Sequence, residues 1–260
     1  METHVYADRD GMSLELDLHR PPGVERPPVA LYLHGGGWTV GTRSDRVTER
    51  VAPVVAGGVA IASASYRLTD VARWPAQLDD VVAAARFLRD HADDLGVAGE
   101  RIGAWGASAG GHLALMAALA GDVAIDAVVA FFATGDFLAT PDFRPGVDAP
   151  LPPFLAGRPL PRPGFVERLL GAAPADAPDL AREASPVHWV ANAGATRFLL
   201  VHGDNDGLVP HEQSALLHRA LREAGADATL LTIAGANHED PAFERPEILG
   251  GVAAFLRAVL

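Results

Sequence analysis

The chain has 260 residues, 49% of them hydrophobic and 21% charged, which is the balance expected of one globular domain with a sizeable core. Its net charge of −12 excludes the basic surface that would bind nucleic acid or an anionic membrane. The lack of cysteine excludes a thiol nucleophile, a disulfide framework and a thiolate metal site. No signal-peptide pattern is evident in the polar first ten residues, and no run of about 18 apolar residues predicts a membrane span, so we expect a cytoplasmic protein.

Taken in chain order, the apolar residues first predict strands. Leu14, Leu16 and Leu18 alternate with polar residues, which indicates a half-exposed strand near a sheet edge. Short continuous apolar runs are typical of strands that helices bury on both faces. Such runs occur at residues 29–33, 59–64, 102–105, 127–133, 198–201 and 230–233.

Helical patterns lie between these runs. One helix is predicted to be capped by Ser44 and to end before Gly57, and another is predicted to begin at Pro75. A short helix is expected after Ser108, and an amphipathic helix follows Pro246 to the end of the chain. Strands that alternate with helices predict a single α/β domain over residues 1–260, with a mostly parallel sheet covered on both faces.

Residues 135–184 interrupt this alternation. The segment has eight prolines between positions 141 and 163, and it also carries Phe137, Phe143, Phe154 and Phe165. A long irregular segment in a compact domain is usually a lid or a linker, and the apolar side chains favour packing. We therefore predict an insertion that covers the functional site.

The strongest chemical signal is Gly-Ala-Ser-Ala-Gly at residues 106–110, directly after the apolar run 102–105. A strand that turns sharply into a helix needs small neighbours, because its central residue is held in a strained conformation with an exposed side chain. Ser108 would then lie beside the N-terminus of a helix, where partial positive charge favours an oxyanion.

A second signal is the sequence His-Gly-Gly-Gly-Trp at residues 34–38, which follows the run 29–33. Consecutive glycines allow backbone N–H groups to approach a substrate oxygen without interference from a Cβ atom. The pattern predicts an oxyanion-binding loop.

The base and its orienting acid are predicted after the last two strands. His238 follows the run 230–233, so it should emerge at the same sheet edge as Ser108. The loop after the preceding strand offers Asp204 and Asp206, and the chain order Ser, Asp, His is that of α/β-hydrolases. Asp206 is the predicted acid because it lies further beyond the strand end, whereas Asp204 is expected to hydrogen-bond its own loop.

These motifs resemble those of the hormone-sensitive-lipase type of α/β-hydrolase, in particular compact bacterial carboxylesterases. The resemblance covers roughly residues 29–255 apart from the proline-rich insertion, and its matching positions are 34–38, 66–68, Pro75, Asp79 or Asp80, 106–112, 185–186, 202–203, Asp206, 209–210 and 237–238. Larger relatives carry a longer N-terminal cap, so their acyl-pocket features are not transferred to this chain.

The resemblance implies an α/β-hydrolase fold and a role for each matching residue. Ser108, Asp206 and His238 would form the catalytic triad, and the N–H groups of Gly36, Gly37 and Ala109 would bind the oxyanion. Trp38, at the end of the glycine loop, would contact the substrate. Weighed by their positions alone, Tyr66 and Arg67 are expected to organise the loop beneath the site, with substrate contact as the alternative. His202 is expected to be a hydrogen-bonded strand-end histidine rather than a metal ligand.

The expected function is hydrolysis of a small carboxylic ester through an acyl-enzyme, which needs neither a cofactor nor a metal. Because little chain precedes the glycine loop, we expect acyl groups of about two to six carbons. Three alternatives remain open: an aryl formamidase or amidase, an esterase that removes acetyl or feruloyl groups from carbohydrate, and a catalytically silent ligand-binding protein. The sequence also leaves the oligomeric state open, a homo-oligomer included.

Overall fold

The computed structural model describes residues 1–139, 150–152, 157, 160 and 162–260. Its strands are β1 (Glu2–Arg9), β2 (Met12–His19), β3 (Pro28–Leu33), β4 (Ala60–Ala64), β5 (Ala98–Ala107), β6 (Ala127–Phe131), β7 (Arg197–Gly203) and β8 (Asp227–Ile233). They form one sheet in the order β1-β2-β4-β3-β5-β6-β7-β8. The strands from β4 to β8 in this order are parallel, whereas β2 runs antiparallel to both β1 and β4.

Helices cover both faces of the sheet. They are α1 (Ala52–Ala56), α2 (Ala76–Asp90), α3 (Ala109–Leu119), α4 (Phe165–Leu170), α5 (Pro178–Glu183), α6 (Glu212–Glu223) and α7 (Pro246–Val259). One apolar core lies beneath α1 and α7, and a larger one lies beneath α2, α3 and α6. This architecture confirms the predicted α/β-hydrolase fold. In the part of the chain that the structure describes, no helix combines the length and the apolarity needed to cross a membrane.

Both edges of the sheet are formed by strands that the apolar runs did not place there. β2 lies next to one edge with Leu14, Leu16 and Leu18 buried, as their alternation predicted, but β1, which the apolar pattern did not predict, pairs with it and forms the edge itself. The last strand, β8, was predicted to be buried on both faces, but it is the opposite edge, and Leu231 is 40% exposed. An apolar run therefore indicates a strand but does not show whether that strand lies at the centre or at the edge of the sheet.

Two predicted helix starts are also wrong. Ser44 does not cap a helix; the chain instead forms a π-helical turn, Val47–Val51, that begins after Arg46 in the left-handed region and continues into α1. Pro75 occupies the N-cap position of α2, so the helix begins one residue later than predicted.

The described part of the predicted insertion contains two short helices, α4 and α5, rather than irregular chain alone. Leu169 and Leu170 of α4 are buried, and Phe137 and Phe165 pack against the larger core. Five of the eight prolines and two of the four phenylalanines on which the prediction drew lie outside the described residues. They are Pro141, Phe143, Pro145, Pro153, Phe154, Pro159 and Pro161.

Candidate active site

The turn between β5 and α3 places Ser108 at the carboxyl edge of the sheet. Ser108 has φ 53° and ψ −116°, a strained backbone conformation for a residue with a Cβ atom. Glycine is required on both sides: a Cβ at Gly106 would lie 2.3 Å from the carbonyl of Gly110, and one at Gly110 would lie 2.0 Å from the carbonyl oxygen of Leu33. The motif therefore lets α3 start in direct contact with the end of β3, next to the glycine loop.

The glycine loop folds back on itself directly after β3. Thr39 and Val40 donate backbone hydrogen bonds to the carbonyl of Gly36, at 3.1 and 3.2 Å. Gly36 has φ 111°, and a Cβ there would lie 2.0 Å from the carbonyl oxygen of Val40. Only glycine allows so tight a turn.

Tyr66 holds the loop from below. Its hydroxyl donates to the carbonyl of His34 at 2.9 Å, and its ring stacks on the His34 imidazole with centroids 4.4 Å apart. Burial lowers the pKa of His34, which favours the neutral ring in this stack. The contacts agree with the loop-organising role expected for Tyr66. Arg67 pairs instead with the carboxylates of Asp80 and Asp10.

The predicted nucleophile, base and acid lie in one hydrogen-bonded chain. His238 Nε2 is 3.0 Å from Ser108 Oγ, and His238 Nδ1 is 2.7 Å from Asp206 Oδ2. Since a carboxylate only accepts hydrogen bonds, Nδ1 carries the proton and Nε2 is free to accept the serine proton. Phe132, with φ 38°, packs edge-on against the His238 ring at 4.6 Å.

Asp206 is a fully engaged, ionised carboxylate. Its Oδ1 accepts the N–H groups of Leu208 and Val209 at 2.9 and 2.8 Å, and its Oδ2 lies between His238 and His202. Burial by itself would raise the pKa of Asp206, but the charge of His238 and the hydrogen bonds from both imidazoles outweigh it and hold the pKa well below its usual range.

His202 is a second imidazole on the same carboxylate. It is fully buried, with Nε2 3.0 Å from the carbonyl of Val209 and 3.2 Å from Asp206 Oδ2. Both of these atoms accept hydrogen bonds, so Nε2 is the protonated nitrogen, and Nδ1 accepts the hydroxyl proton of Ser214 at 2.7 Å. The expectation of a hydrogen-bonded strand-end histidine agrees with this geometry, but its contact with the acid was missed. The only signal in the sequence is its position four residues before Asp206.

Asp204 has a different partner from the one predicted. Its Oδ1 accepts the backbone N–H of Gly235 at 2.6 Å, so it ties the acid loop to the base loop rather than to itself. The chain before Asp204 also passes close to the base loop, since a Cβ at Gly203 would lie 2.1 Å from the carbonyl oxygen of Ala236.

Asn237, whose role the sequence did not suggest, links three segments. Its Oδ1 accepts the N–H groups of Gly207 and His238 at 3.0 and 2.7 Å, and its Nδ2 donates to the carbonyl of Pro150 at 2.7 Å. One buried amide thus joins the acid loop, the base loop and the predicted insertion.

Trp38 lies in an aromatic cluster behind the glycine loop. It is only 4% exposed and packs edge-on against His112 at 5.2 Å and against Phe137 at 5.8 Å. Contact with substrate stays a prediction for this residue, as does oxyanion binding by Gly36, Gly37 and Ala109.

Phe165 of α4 lies directly on the glycine loop. Gly37 has φ 59°, and a Cβ there would be 2.4 Å from Phe165 Cδ1. A side chain of the predicted insertion therefore reaches the loop that is expected to bind the substrate carbonyl.

Comparison with known proteins places this architecture in a family. A model of the BD-FAE family matches residues 16–221, which is more than half of the chain. The protein belongs to the BD-FAE family. The matched part of this BD-FAE protein includes the glycine loop, Ser108 and Asp206, and it ends before His238.

Several curated relatives of the chain are named esterases. Esterase LipC of Mycobacterium tuberculosis is 28% identical over 90% of this chain and 58% of its own length. Esterase LipQ of the same organism is 30% identical over 81% of this chain and 50% of its own length. The chain thus spans about half the length of these relatives, and the matches confirm the predicted kinship with hormone-sensitive-lipase-like α/β-hydrolases.

Solved structures show the same fold. A truncated form of a carbohydrate esterase from gut microbiota superposes with a TM-score of 0.82 at 24% identity, over 99% of this chain and 96% of its own. Esterase 2 of Thermogutta terrifontis, phosphoramylated by tabun, gives a TM-score of 0.77 at 23% identity, over 99% and 94% of the two chains.

Proposed function

We propose that the protein is a serine carboxylesterase that hydrolyses small, short-acyl esters through an acyl-enzyme intermediate. The observation that carries this proposal is the chain of contacts from Asp206 through His238 to Ser108, with 2.7 and 3.0 Å between the heavy atoms. A serine hydroxyl is a weak nucleophile until an oriented base takes its proton. The names of the mycobacterial relatives support the same class of reaction.

In the first half of the reaction, Ser108 Oγ attacks the ester carbonyl carbon and its proton passes to His238 Nε2. Asp206 stabilises the imidazolium, which then gives the proton to the departing alkoxide. In the second half, His238 takes a proton from water, the hydroxide attacks the acyl carbon, and the carboxylic acid leaves as Ser108 regains its proton.

The negative charge that develops on the carbonyl oxygen needs fixed donors. The N–H groups of Gly36, Gly37 and Ala109 are the proposed donors, since Ala109 begins α3 and the glycine loop contacts the start of that helix. Donors held in this way stabilise the tetrahedral intermediate without reorganisation during the reaction.

A preference for short acyl chains is proposed because Phe165 packs against Gly37 and so limits the space beside the loop that is proposed to bind the substrate carbonyl. The hydrogen bond from Asn237 to Pro150 brings a second part of the insertion to the base loop. Both contacts support the prediction that the insertion over residues 135–184 covers the site and controls access.

A panel of substrates tests the proposal. p-Nitrophenyl esters from acetate to palmitate are compared with an aryl formamide and with acetylated and feruloylated sugars. We expect the highest kcat/KM for acetate or butyrate; faster turnover of palmitate would contradict the short-acyl preference. Faster turnover of the formamide or of a sugar ester would move the protein to that class.

A fluorophosphonate probe separates an enzyme from a silent binding protein. Such probes react with an activated serine, so we expect labelling at Ser108 that is lost in Ser108→Ala. An intact protein that resists the probe would contradict nucleophilic catalysis.

A further inference from the structure

Arg50 is a buried cation directly behind the base. It lies in the π-helical turn Val47–Val51, and its side chain is 1% exposed. Its guanidinium donates to Glu239 Oε2 at 2.8 Å, to Glu244 Oε1 at 3.3 Å and to the Tyr32 hydroxyl at 3.3 Å. A buried charge is tolerated only when it is paired and hydrogen-bonded, so this arginine depends on these partners and they depend on it.

Both carboxylates belong to the segment that carries the base. Glu239 directly follows His238, and Glu244 ends the short 3₁₀ turn Pro241–Glu244. One guanidinium therefore holds the residue that follows the base and the last residue of this turn. Asp240 caps the same turn by accepting the N–H of Ala242 at 2.9 Å.

Glu239 occupies a backbone conformation that needs outside support. Its φ is 57°, in the left-handed region that a residue with a Cβ atom avoids. Burial would raise the pKa of Glu239, but the charge of Arg50 outweighs burial and holds the pKa below its usual range, so the pair stays ionised at neutral pH. Because one peptide bond joins Glu239 to His238, relaxation of the left-handed residue would turn the imidazole.

Arg50 also approaches the base from a second direction. Its Cζ atom is 5.9 Å from the centre of the Phe132 ring, and that ring packs edge-on against His238 at 4.6 Å. The arginine thus contacts both the residue that follows the base and the aromatic ring that flanks it.

We propose that Arg50, through its ion pair with Glu239, is a positioning residue that fixes His238 for proton transfer to Ser108. This inference rests on the proposed hydrolase function. Since Arg50 acts on the base and not on the bound ester, its loss should lower kcat and leave KM nearly unchanged.

The sharpest test is the double variant Arg50→Met/Glu239→Gln, which removes both charges of the pair together. Glu244 keeps Arg46 as an ionic partner at 3.4 Å, so the variant leaves it paired. We expect kcat for p-nitrophenyl acetate to fall about tenfold to a hundredfold, with KM within about twofold of the parent value, because small displacements of a catalytic group cost this much. Arg50→Lys retains the charge but not the planar fork, so its kcat should lie between those of the parent and the double variant.

Arg43→Met is the matched control. Arg43 also bridges two carboxylates, Glu15 and Asp17, but these lie on β2 rather than beside the base. Its loss should lower the melting temperature with kcat unchanged. All rates are taken per folded molecule, with folding followed by circular dichroism.

A folded double variant with parental kcat overturns the inference, and so does an equal loss of kcat in Arg43→Met. Should the double variant not fold, Glu239→Gln alone replaces it, with lower kcat and unchanged KM expected and parental kcat again contradictory. If the parent protein hydrolyses no ester, the proposed function fails; if it does and these variants keep their kcat, only the positioning role fails.

Discussion

The proposed nucleophile, Ser108, and the proposed base, His238, are held in place by different kinds of constraint. Ser108 is fixed by the backbone, since Gly106 and Gly110 allow chain segments to approach so closely that a single added Cβ would overlap them. His238 is fixed by side chains from distant segments, among them Asp206 and Phe132. A backbone constraint leaves a short motif in the sequence, whereas a side-chain network leaves residues scattered along the chain.

The largest effect is expected on the nucleophile side, from Ser108→Ala. The variant should lose nearly all hydrolysis of p-nitrophenyl acetate, by a factor that reaches about 10⁶ in other triads, because no other group can form the acyl-enzyme. The fold should persist because the Ser108 hydroxyl bonds to His238 and not to the backbone of the turn, whose close approaches depend on Gly106 and Gly110. Rates and melting temperature are measured beside the exposed control Ser44→Ala. A Ser108→Ala rate above about a hundredth of the parent rate would refute the assignment.

On the base side, Asp206→Asn should lower kcat by up to about 10⁴, because an amide can donate to Nδ1 and so favour the wrong imidazole tautomer. Asp204→Asn is the matched control from the same loop. Its carboxylate accepts only the Gly235 N–H among the contacts described, so its effect should be chiefly on melting temperature. A larger loss of kcat in Asp204→Asn than in Asp206→Asn would reverse the two roles.

A backbone constraint can be broken by one methyl group, as Gly37→Ala tests. The new Cβ would collide with Phe165 at a residue with φ 59°, and the predicted N–H donor would move. We expect kcat to fall by about 10²–10³, the usual cost of one oxyanion donor. Gly250→Ala, where the Cβ meets no atom within 4 Å, serves as the control and should keep the parental rate. Parental activity in Gly37→Ala would show that the loop is not constrained as described.

His112 extends the comparison to stability, because it is a buried histidine on the nucleophile helix. Burial lowers its pKa to about 4, and its Nε2 donates to the carbonyl of Ala184 at 2.7 Å. Between pH 6.5 and 4 the unfolded chain binds this proton and the folded chain does not, so the free energy of unfolding should decrease as the pH falls. His112 alone should account for a decrease of about 3 kcal/mol in the free energy of unfolding between pH 6.5 and 4.

Urea unfolding across this pH range measures the slope. In His112→Leu the free energy of unfolding should decrease less between pH 6.5 and 4, by about 3 kcal/mol, whatever the absolute stability of the variant. The exposed control His188→Ala should keep the parental slope. An unchanged slope in His112→Leu would contradict the burial of a neutral imidazole.

The contrast between backbone and side-chain constraints also explains what the sequence could predict. The parallel strands, the serine turn and the glycine loop were predictable because apolar runs and glycines record burial and close approach locally. The edge strand β1 was missed because its residues are mostly exposed and polar.

The side-chain contacts of the site could not be predicted, since they join residues far apart in the chain. Arg50 and Glu239 are separated by 189 positions and His202 reaches the acid only because the loop after β7 curls back. Nothing in the local sequence around Arg50 distinguishes it from a surface arginine. Asp206 was predicted from its distance beyond the strand end to be the partner of His238, and the two side chains are 2.7 Å apart. The partner of Asp204 was not predicted, because Gly235 belongs to another loop.

The most direct test of the acyl-enzyme mechanism is mass spectrometry of the protein quenched with acid during turnover of p-nitrophenyl acetate. The account predicts a mass gain of one acetyl group, located by peptide mapping on Ser108, and slower loss of this group in Asp206→Asn than in the parent protein. Catalysed release of p-nitrophenol with the acetyl group on any other residue, or with no acetylated protein in either form, would contradict it.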